Sequence, residues 1–202
     1  MRTLLLASTA VLALAANAAA ENSSDTDINV ETITIIGLKG DAREVAGSAT
    51  LLPSEVLQVQ DYTDIGRVLR QVPGVNIQEE DGYGLRPNIG LRGTGLDRSA
   101  NIVLMEDGIL AAPAPYSAAA AYYSPYVGRM AGVEIVKGAA GVRYGPRTQG
   151  GSVNFLSTPV PESWSGRLAI TAGEEEARRI HAYAGGMTEV SQGVRLGGHV
   201  EA

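Results

Sequence analysis

The sequence predicts a small α/β domain followed by the first antiparallel strands of a transmembrane β-barrel. Two observations in residues 48–158 indicate the domain: short β-branched and apolar runs, and helical spacing of apolar residues between turn-forming pairs. Strict alternation of apolar and polar residues from residue 165 onward indicates the barrel strands. The domain is expected to hold a small mixed four-stranded sheet with short helices.

Residues 1–20 have the layout of a secretory signal peptide. Arg2 precedes an apolar stretch that ends in the small residues Ala18 to Ala20, and this stretch is too short to span a bilayer. Residues 21–47 are expected to form a flexible arm, because its first part is polar and acidic. Within the arm, residues 31–37 are rich in β-branched side chains. They predict either an ordinary edge strand or a strand that adds to the sheet of another protein.

Composition excludes several classes of function. The chain has no cysteine, so neither disulfides nor thiolate metal ligands are available. Its formal net charge is −6 without a long basic run, which argues against nucleic acid as a partner. No set of nucleophile, base and orienting residue is recognisable, so we expect no catalytic residues and no enzyme activity.

Residues 48–158 are expected to form one domain. The pattern predicts a helix over residues 61–71, capped by Asp61 or Thr63 and ended by Pro73 and Gly74. Shorter helical turns are expected after Pro53 and from Ser124 to about Met130. The predicted strands are residues 49–52, 75–78, 88–92, 102–106, 133–137 and 152–156.

Residues 162–202 predict about three barrel strands, over 165–172, 178–184 and 194–201. Leu168 and Ile170, for example, alternate with Arg167 and Thr171. A closed transmembrane barrel needs at least about eight strands, so we expect the barrel to be truncated in this sequence.

Two patterns that could suggest small-molecule chemistry have simpler interpretations. The glycine-rich residues 138–151 lack the lysine spacing of a phosphate-binding loop, and are expected to permit close backbone packing. His181 and His199 lie on the polar face of the predicted strands, where we expect solvated side chains and no metal site.

Three stretches carry a resemblance to a known family. They are TDIGRVLRQVPGV at residues 63–75, NIGLRG at 88–93 with VLMEDG at 103–108, and VEIVKG at 133–138 with RYGP and GGSVNF downstream. In this order and spacing they resemble the plug domain of TonB-dependent outer-membrane receptors. The resemblance implies a barrel of about 22 strands around the plug, and a Gram-negative outer-membrane location in contact with lipid.

The resemblance also implies partners and site residues. The segment at 31–37 lies where the family carries its TonB box, which binds periplasmic TonB with its inner-membrane energising complex. The implied TonB-box residues are Glu31, Thr32, Ile33, Thr34, Ile35, Ile36 and Gly37. Arg92, Lys137 and Arg143 are the implied contacts to the barrel. Lys137 stands where the family has an arginine, so it either pairs more loosely than a guanidinium or extends into water.

Residues 86–116 are most similar to receptors for ferric dicitrate, which implies a ferric chelate as the transported ligand and no resident cofactor. The implied ligand contacts are Arg86, Thr94, Arg98, Pro115 and Tyr116. Two alternatives stay open at this point. One is a transporter of another cargo, such as cobalamin, another metal complex or an oligosaccharide, and the other is a non-transporting barrel or adhesin.

Overall fold

A computed structural model describes residues 32–35, 38–41, 47–60, 64–80, 87–111, 117–118, 125–173 and 178–202, with backbone only at 32–35, 38–41, 60 and 139. The chain divides into two compact units, and the described residues up to Thr158 belong to one while those from Pro159 belong to the other. The predicted signal peptide at 1–20 lies outside the described residues. No helix among those described is long and apolar enough to cross a membrane.

The first described segment is a β-hairpin. Strand β1 (Thr32–Ile35) pairs antiparallel with strand β2 (Leu38–Asp41), with Ile35 opposite Leu38 and Ile33 opposite Gly40. The sequence predicted a strand in residues 31–37, and the structure adds a partner for it within the same chain. Two such strands can pair across a two-residue connection because antiparallel strands need only a tight turn.

Strand β3 (Ser48–Pro53) leads into helix α1 (Ser54–Gln60) and helix α2 (Ile65–Leu69). The N-cap of α2 is Asp64, whose carboxylate accepts a hydrogen bond from the Gly66 amide at 2.6 Å. The predicted caps, Asp61 and Thr63, lie outside the described residues. The helix ends before Pro73, as expected, and Gly74 then adopts a left-handed φ of 80°.

Strands β4 (Val75–Glu79) and β5 (Pro87–Leu91) form a separate two-stranded antiparallel sheet. The main sheet continues with β6 (Ile102–Glu106), β7 (Ile109–Leu110), β8 (Met130–Lys137) and β9 (Gly151–Ser157). Its strand order is β3-β8-β9-β6-β7, and β6 and β9 are parallel while the other neighbours are antiparallel. The sheet is therefore mixed, as predicted.

The prediction of four strands was wrong, because the main sheet has five. The fifth is β7, which folds back on β6 through Asp107 and Gly108. Both turn residues have positive φ, 49° and 81°, and this pair of left-handed residues matches the twist of a two-residue hairpin. The helix predicted up to Met130 is also shorter, since a 3₁₀ turn at Val127–Arg129 gives way to β8 at Met130.

One apolar core joins the main sheet to α2 and to the β4–β5 pair. Phe155, Ile135 and Leu104 of the sheet are fully buried together with Leu69 and Ile89. Burial of these side chains removes apolar area from water and holds the short elements together, because none of them is long enough to be stable alone.

The second unit contains a three-stranded antiparallel sheet of β10 (Ser165–Ala172), β11 (Arg178–Ser191) and β12 (Val194–Glu201). These strands occupy the segments that alternation predicted, but β11 extends further than expected, to Ser191. Ile170 lies opposite Ile180, and Arg167 lies opposite Tyr183 on the other face. The sheet thus has one apolar and one polar face.

Candidate functional site

The predicted TonB-box segment lies partly within the described residues. Its strand β1 includes Thr32 to Ile35, whereas Glu31, Ile36 and Gly37 lie outside them. Pairing with β2 uses one edge of β1. An extended strand with a second, unpaired edge offers backbone groups to a strand from another protein.

A buried lysine lies at the C-terminal end of β8. Lys137 is only 5% exposed, and its Nζ donates a hydrogen bond to the carbonyl oxygen of Pro73 at 2.8 Å. Burial lowers the pKa of the Lys137 amine, and the nearby Arg92 guanidinium lowers it further. The Lys137 amine thus has a hydrogen-bond partner within the plug itself, and its pairing with the barrel stays a prediction.

Arg92 lies at the same end of the domain, directly after β5. Its backbone is left-handed, with a φ of 52°, and its N–H donates to the carbonyl of Gly74 at 2.9 Å. Its guanidinium lies against Gly138, where an added Cβ would be 2.5 Å from Nη1. The turn at residues 73–74 thus binds both Lys137 and Arg92, and Gly138 lies against the Arg92 guanidinium.

Arg143 has different surroundings from this pair. It is exposed in the 3₁₀ segment Ala139–Tyr144 and hydrogen-bonds the phenol of Tyr144. Burial raises the pKa of Tyr144, the Glu134 carboxylate raises it further, and Arg143 opposes both. Of the three predicted barrel contacts, the structure therefore brings Arg92 and Lys137 together, while Arg143 contacts its neighbour Tyr144.

The loop that follows β5 contains two of the predicted ligand contacts. The hydroxyl of Thr94 donates to the carbonyl of Leu91 at 2.8 Å, and the carbonyl of Thr94 accepts from Asn101 Nδ2 at 2.6 Å. Arg98 is exposed in the 3₁₀ segment Asp97–Ser99 and has a left-handed φ of 47°. The other predicted contacts, Arg86, Pro115 and Tyr116, lie outside the described residues.

Ser99 anchors this loop, and the sequence analysis missed it. The residue is 1% exposed, and its hydroxyl accepts from the Ile89 amide at 2.8 Å and donates to the Pro87 carbonyl at 3.3 Å. Ser99 is also left-handed, with a φ of 55°, directly after Arg98. Two successive non-glycine residues in this conformation carry strain, which surrounding structure must hold in place. No local pattern in the sequence marks this serine as buried.

A buried polar bridge across the main sheet was also missed. Asn154 of β9 donates to Glu134 Oε2 at 3.0 Å, and its carbonyl oxygen accepts from the Gly108 amide at 2.9 Å. Glu134 is 2% exposed and Asn154 is 5% exposed. The two residues lie opposite each other in the β8–β9 ladder. A polar residue with apolar neighbours on both sides, in each of two strands, was the signal that could have revealed the bridge.

The described residues contain no group of three or more His, Cys, Asp or Glu side chains that could hold a metal ion. The two histidines instead have separate neighbours in the second unit. His181 is 2.7 Å from Glu201 and 3.2 Å from Arg167, and the ring of His199 lies 5.5 Å from that of Tyr183.

Comparison with known proteins gives the same family as the motifs. A family model described as TonB-dependent Receptor Plug Domain matches residues 41–152. The chain is 23% identical over 138 residues to the vitamin B12 transporter BtuB of Vibrio vulnificus, covering 68% of this chain and 22% of that protein. It therefore spans about a fifth of the length of this curated relative.

Solved structures share the fold. A mutant of the ferric enterobactin receptor PfeA from Pseudomonas aeruginosa is 20% identical, with a TM-score of 0.56 over 74% of this chain and 23% of that chain. The siderophore receptor PirA from Acinetobacter baumannii is 21% identical, with a TM-score of 0.54 over 76% of this chain and 24% of that chain. Because residues 41–152 make up more than half of the sequence, this chain belongs to the family of TonB-dependent receptor plug domains.

Proposed function

We propose that this chain is the N-terminal part of a TonB-dependent outer-membrane receptor that imports a ferric chelate. The family match over residues 41–152, preceded by the hairpin that contains β1, is the observation that supports this proposal most strongly. In this proposal residues 1–20 direct export, 21–47 form the coupling arm, 48–158 form the plug, and 162–202 begin the barrel.

Energy for import has to arrive mechanically in this proposal, because the outer membrane is separated from the cytoplasmic supply of nucleotide. TonB binds the segment 31–37 by adding a strand to it, and the inner-membrane complex then pulls. Several backbone hydrogen bonds loaded together resist such a pull better than one loaded at a time. The arm transmits the force to β3, an edge strand of the main sheet.

The cation pair provides an attachment between plug and barrel in this proposal. Arg92 and Lys137 lie close enough for the guanidinium to lower the pKa of the amine. A barrel carboxylate between the two cations would therefore stabilise the charge of both. Arg143, exposed beside Tyr144, is the third proposed contact. Release of such a contact would let the plug rearrange when the arm is pulled.

The proposed ligand site includes the loop anchored by Ser99. Exposed Arg98 offers a guanidinium to an anionic chelate, and Thr94 shapes the loop at its start. Arg86, Pro115 and Tyr116 complete the proposed set. Support for a ferric chelate comes from the resemblance of residues 86–116 to ferric dicitrate receptors and from solved structures named as a ferric enterobactin receptor and a siderophore receptor.

A second cargo has a specific observation in its favour, since the curated relative is named as a vitamin B12 transporter. A cobalamin transporter would use the same coupling arm and plug as a ferric-chelate transporter. The two proposals differ only in the loops that contact the ligand. A non-transporting barrel is the third candidate, and it differs because the segment 31–37 would be dispensable.

One set of measurements distinguishes these candidates. A strain that lacks the gene is complemented with the intact receptor or with a receptor lacking residues 31–37, and uptake of radiolabelled ferric dicitrate and of cobalamin is measured. We expect uptake of the ferric chelate with the intact receptor and background uptake without the segment, while chelate binding to cells is equal. Uptake of cobalamin without uptake of the ferric chelate would identify cobalamin as the cargo. Equal uptake by the intact receptor and the receptor lacking residues 31–37 would refute the coupling role of that segment.

A further inference from the structure

The register of the β1–β2 hairpin determines which backbone groups of β1 are already used. Ile35 and Leu38 face each other across a connection of two residues. A pair that closes such a connection exchanges both of its N–H···O bonds, and bonded pairs alternate with non-bonded pairs along an antiparallel ladder. Ile33 and Gly40 are therefore the next bonded pair, while Thr34 and Lys39 are a non-bonded pair.

The same alternation directs the remaining backbone groups of β1 outward. The N–H and C=O groups of Ile33 and Ile35 point toward β2, so those of Thr32 and Thr34 point to the opposite edge. Among the described strands, β1 pairs with β2 alone. Two residues of β1 thus present their donors and acceptors along one edge while the hairpin stays closed.

We infer that Thr32 and Thr34 form the docking edge, and that a strand of TonB adds to this edge of β1 without opening the hairpin. The inference rests on the proposed function, because it takes TonB as the partner of this segment. It deepens that proposal by assigning the contact to alternate residues and by giving β2 a role as support for β1.

The energetics favour this arrangement over an opened hairpin. A strand already paired with β2 has lost its backbone freedom, so partner binding does not have to order it again. Two-stranded hairpins are marginally stable alone, and a third strand stabilises both existing ones. Opening the hairpin would exchange bonds between β1 and β2 for similar bonds to the partner, with no gain in their number.

A reversible lock on the hairpin tests this inference in the intact receptor. Ile33→Cys with Gly40→Cys places two thiols at a bonded pair away from the proposed docking residues, with Cα atoms about 5.5 Å apart and within the range of a disulfide. The sequence contains no cysteine that would compete. Binding of the purified periplasmic domain of TonB and uptake of the cargo are measured before and after reduction, with each single cysteine variant as a control.

We expect the oxidised receptor to bind TonB within about twofold of the reduced receptor, since the outer edge is unaffected by the lock. Uptake should likewise be equal in the two states. If oxidation weakens binding by about tenfold or more and reductant restores it, the hairpin must open and the inference is overturned.

Two proline variants separate the inference from the proposed function. Thr34→Pro removes an outward N–H and should weaken TonB binding by about tenfold or more, whereas Ile33→Pro removes an N–H directed at β2 and should change it less than about threefold. Ligand binding to each variant controls for folding. If Ile33→Pro alone weakens binding, or both do so equally, the outer-edge inference fails while TonB coupling stands. If neither changes binding or uptake, the coupling role of the segment fails as well.

Discussion

The ammonium group of Lys137 donates a hydrogen bond to the carbonyl oxygen of Pro73 across 2.8 Å, so the end of β8 holds the turn that ends α2. The same turn is bound by the backbone of Arg92 through the carbonyl of Gly74. The cations proposed to attach the plug to the barrel therefore also organise the plug itself. A change at either position should alter the turn as well as the proposed contact.

The stability of the plug should rise with pH in a way that depends on Lys137. Burial lowers the pKa of this amine below its ordinary value of 10.5 in the folded state. Between the lowered pKa and 10.5, the unfolded chain binds more protons than the folded chain, so raising the pH favours folding. Lys137→Met should abolish this rise. Urea unfolding of residues 27–158 at several pH values measures it, and Lys39→Met is the matched control. Parallel curves of unfolding free energy against pH for the wild type and the Lys137→Met variant would contradict a lowered pKa at Lys137.

Glycine should be required at residue 151 for a reason that does not hold at residue 74. Both glycines have positive φ, 130° and 80°, but a Cβ at Gly151 would overlap the carbonyl oxygen of Val136, whereas nothing lies within 4 Å at Gly74. Gly74→Ala should cost about 1 kcal/mol, from backbone strain alone. Gly151→Ala should cost more than about 3 kcal/mol, because the β8–β9 ladder must shift. Equal midpoints of urea unfolding would show that the ladder can relax.

Asn154 should be far more important for stability than the hydrogen-bonded pair of Ser157 and Asp107 at the end of β9. Asn154→Ala removes the acceptor of the buried Gly108 amide and the donor to Glu134, so we expect a loss of about 2–5 kcal/mol. Ser157→Ala removes an exposed hydroxyl that binds Asp107, and should cost about 1 kcal/mol or less. Thermal and urea unfolding of the two variants compares them directly. A similar small loss for both would mean that water replaces the Asn154 bridge.

Ser99 and Arg98 should affect ligand binding by different routes. Ser99→Ala leaves the buried Ile89 amide without its acceptor, so we expect a loss of about 1–3 kcal/mol in stability together with weaker chelate binding. Arg98→Ala changes an exposed side chain and should weaken chelate binding with a stability change within about 0.5 kcal/mol. Titration of the chelate and urea unfolding measure both effects. Unchanged chelate affinity in Arg98→Ala would remove Arg98 from the ligand site. As a control, binding of TonB should be equal in the wild type, Ser99→Ala and Arg98→Ala.

Local sequence patterns predicted much of the fold. The strand at residues 102–106 was placed correctly, and most other strands were found within a few residues, because β-branched and apolar runs between turn-formers are a short-range signal. The fifth strand was missed because Ile109–Leu110 has two residues, too few to show a period. The cap of α2 was also misplaced, since several polar residues precede the helix and only the backbone geometry selects Asp64.

By itself, the sequence determined the mixed α/β domain, the family, and the antiparallel strands after residue 162, because each depends on patterns within short segments. Only the tertiary structure decided the partners that lie far apart in the chain. Examples are Lys137 on the Pro73 carbonyl, Ser99 on the Ile89 amide and Glu134 beside Asn154. It also decided which edge of β1 pairs with β2 among the described strands, since strand register depends on the segment that folds back. Such contacts arise from packing and from the need to satisfy buried polar groups, which local residue preferences do not specify.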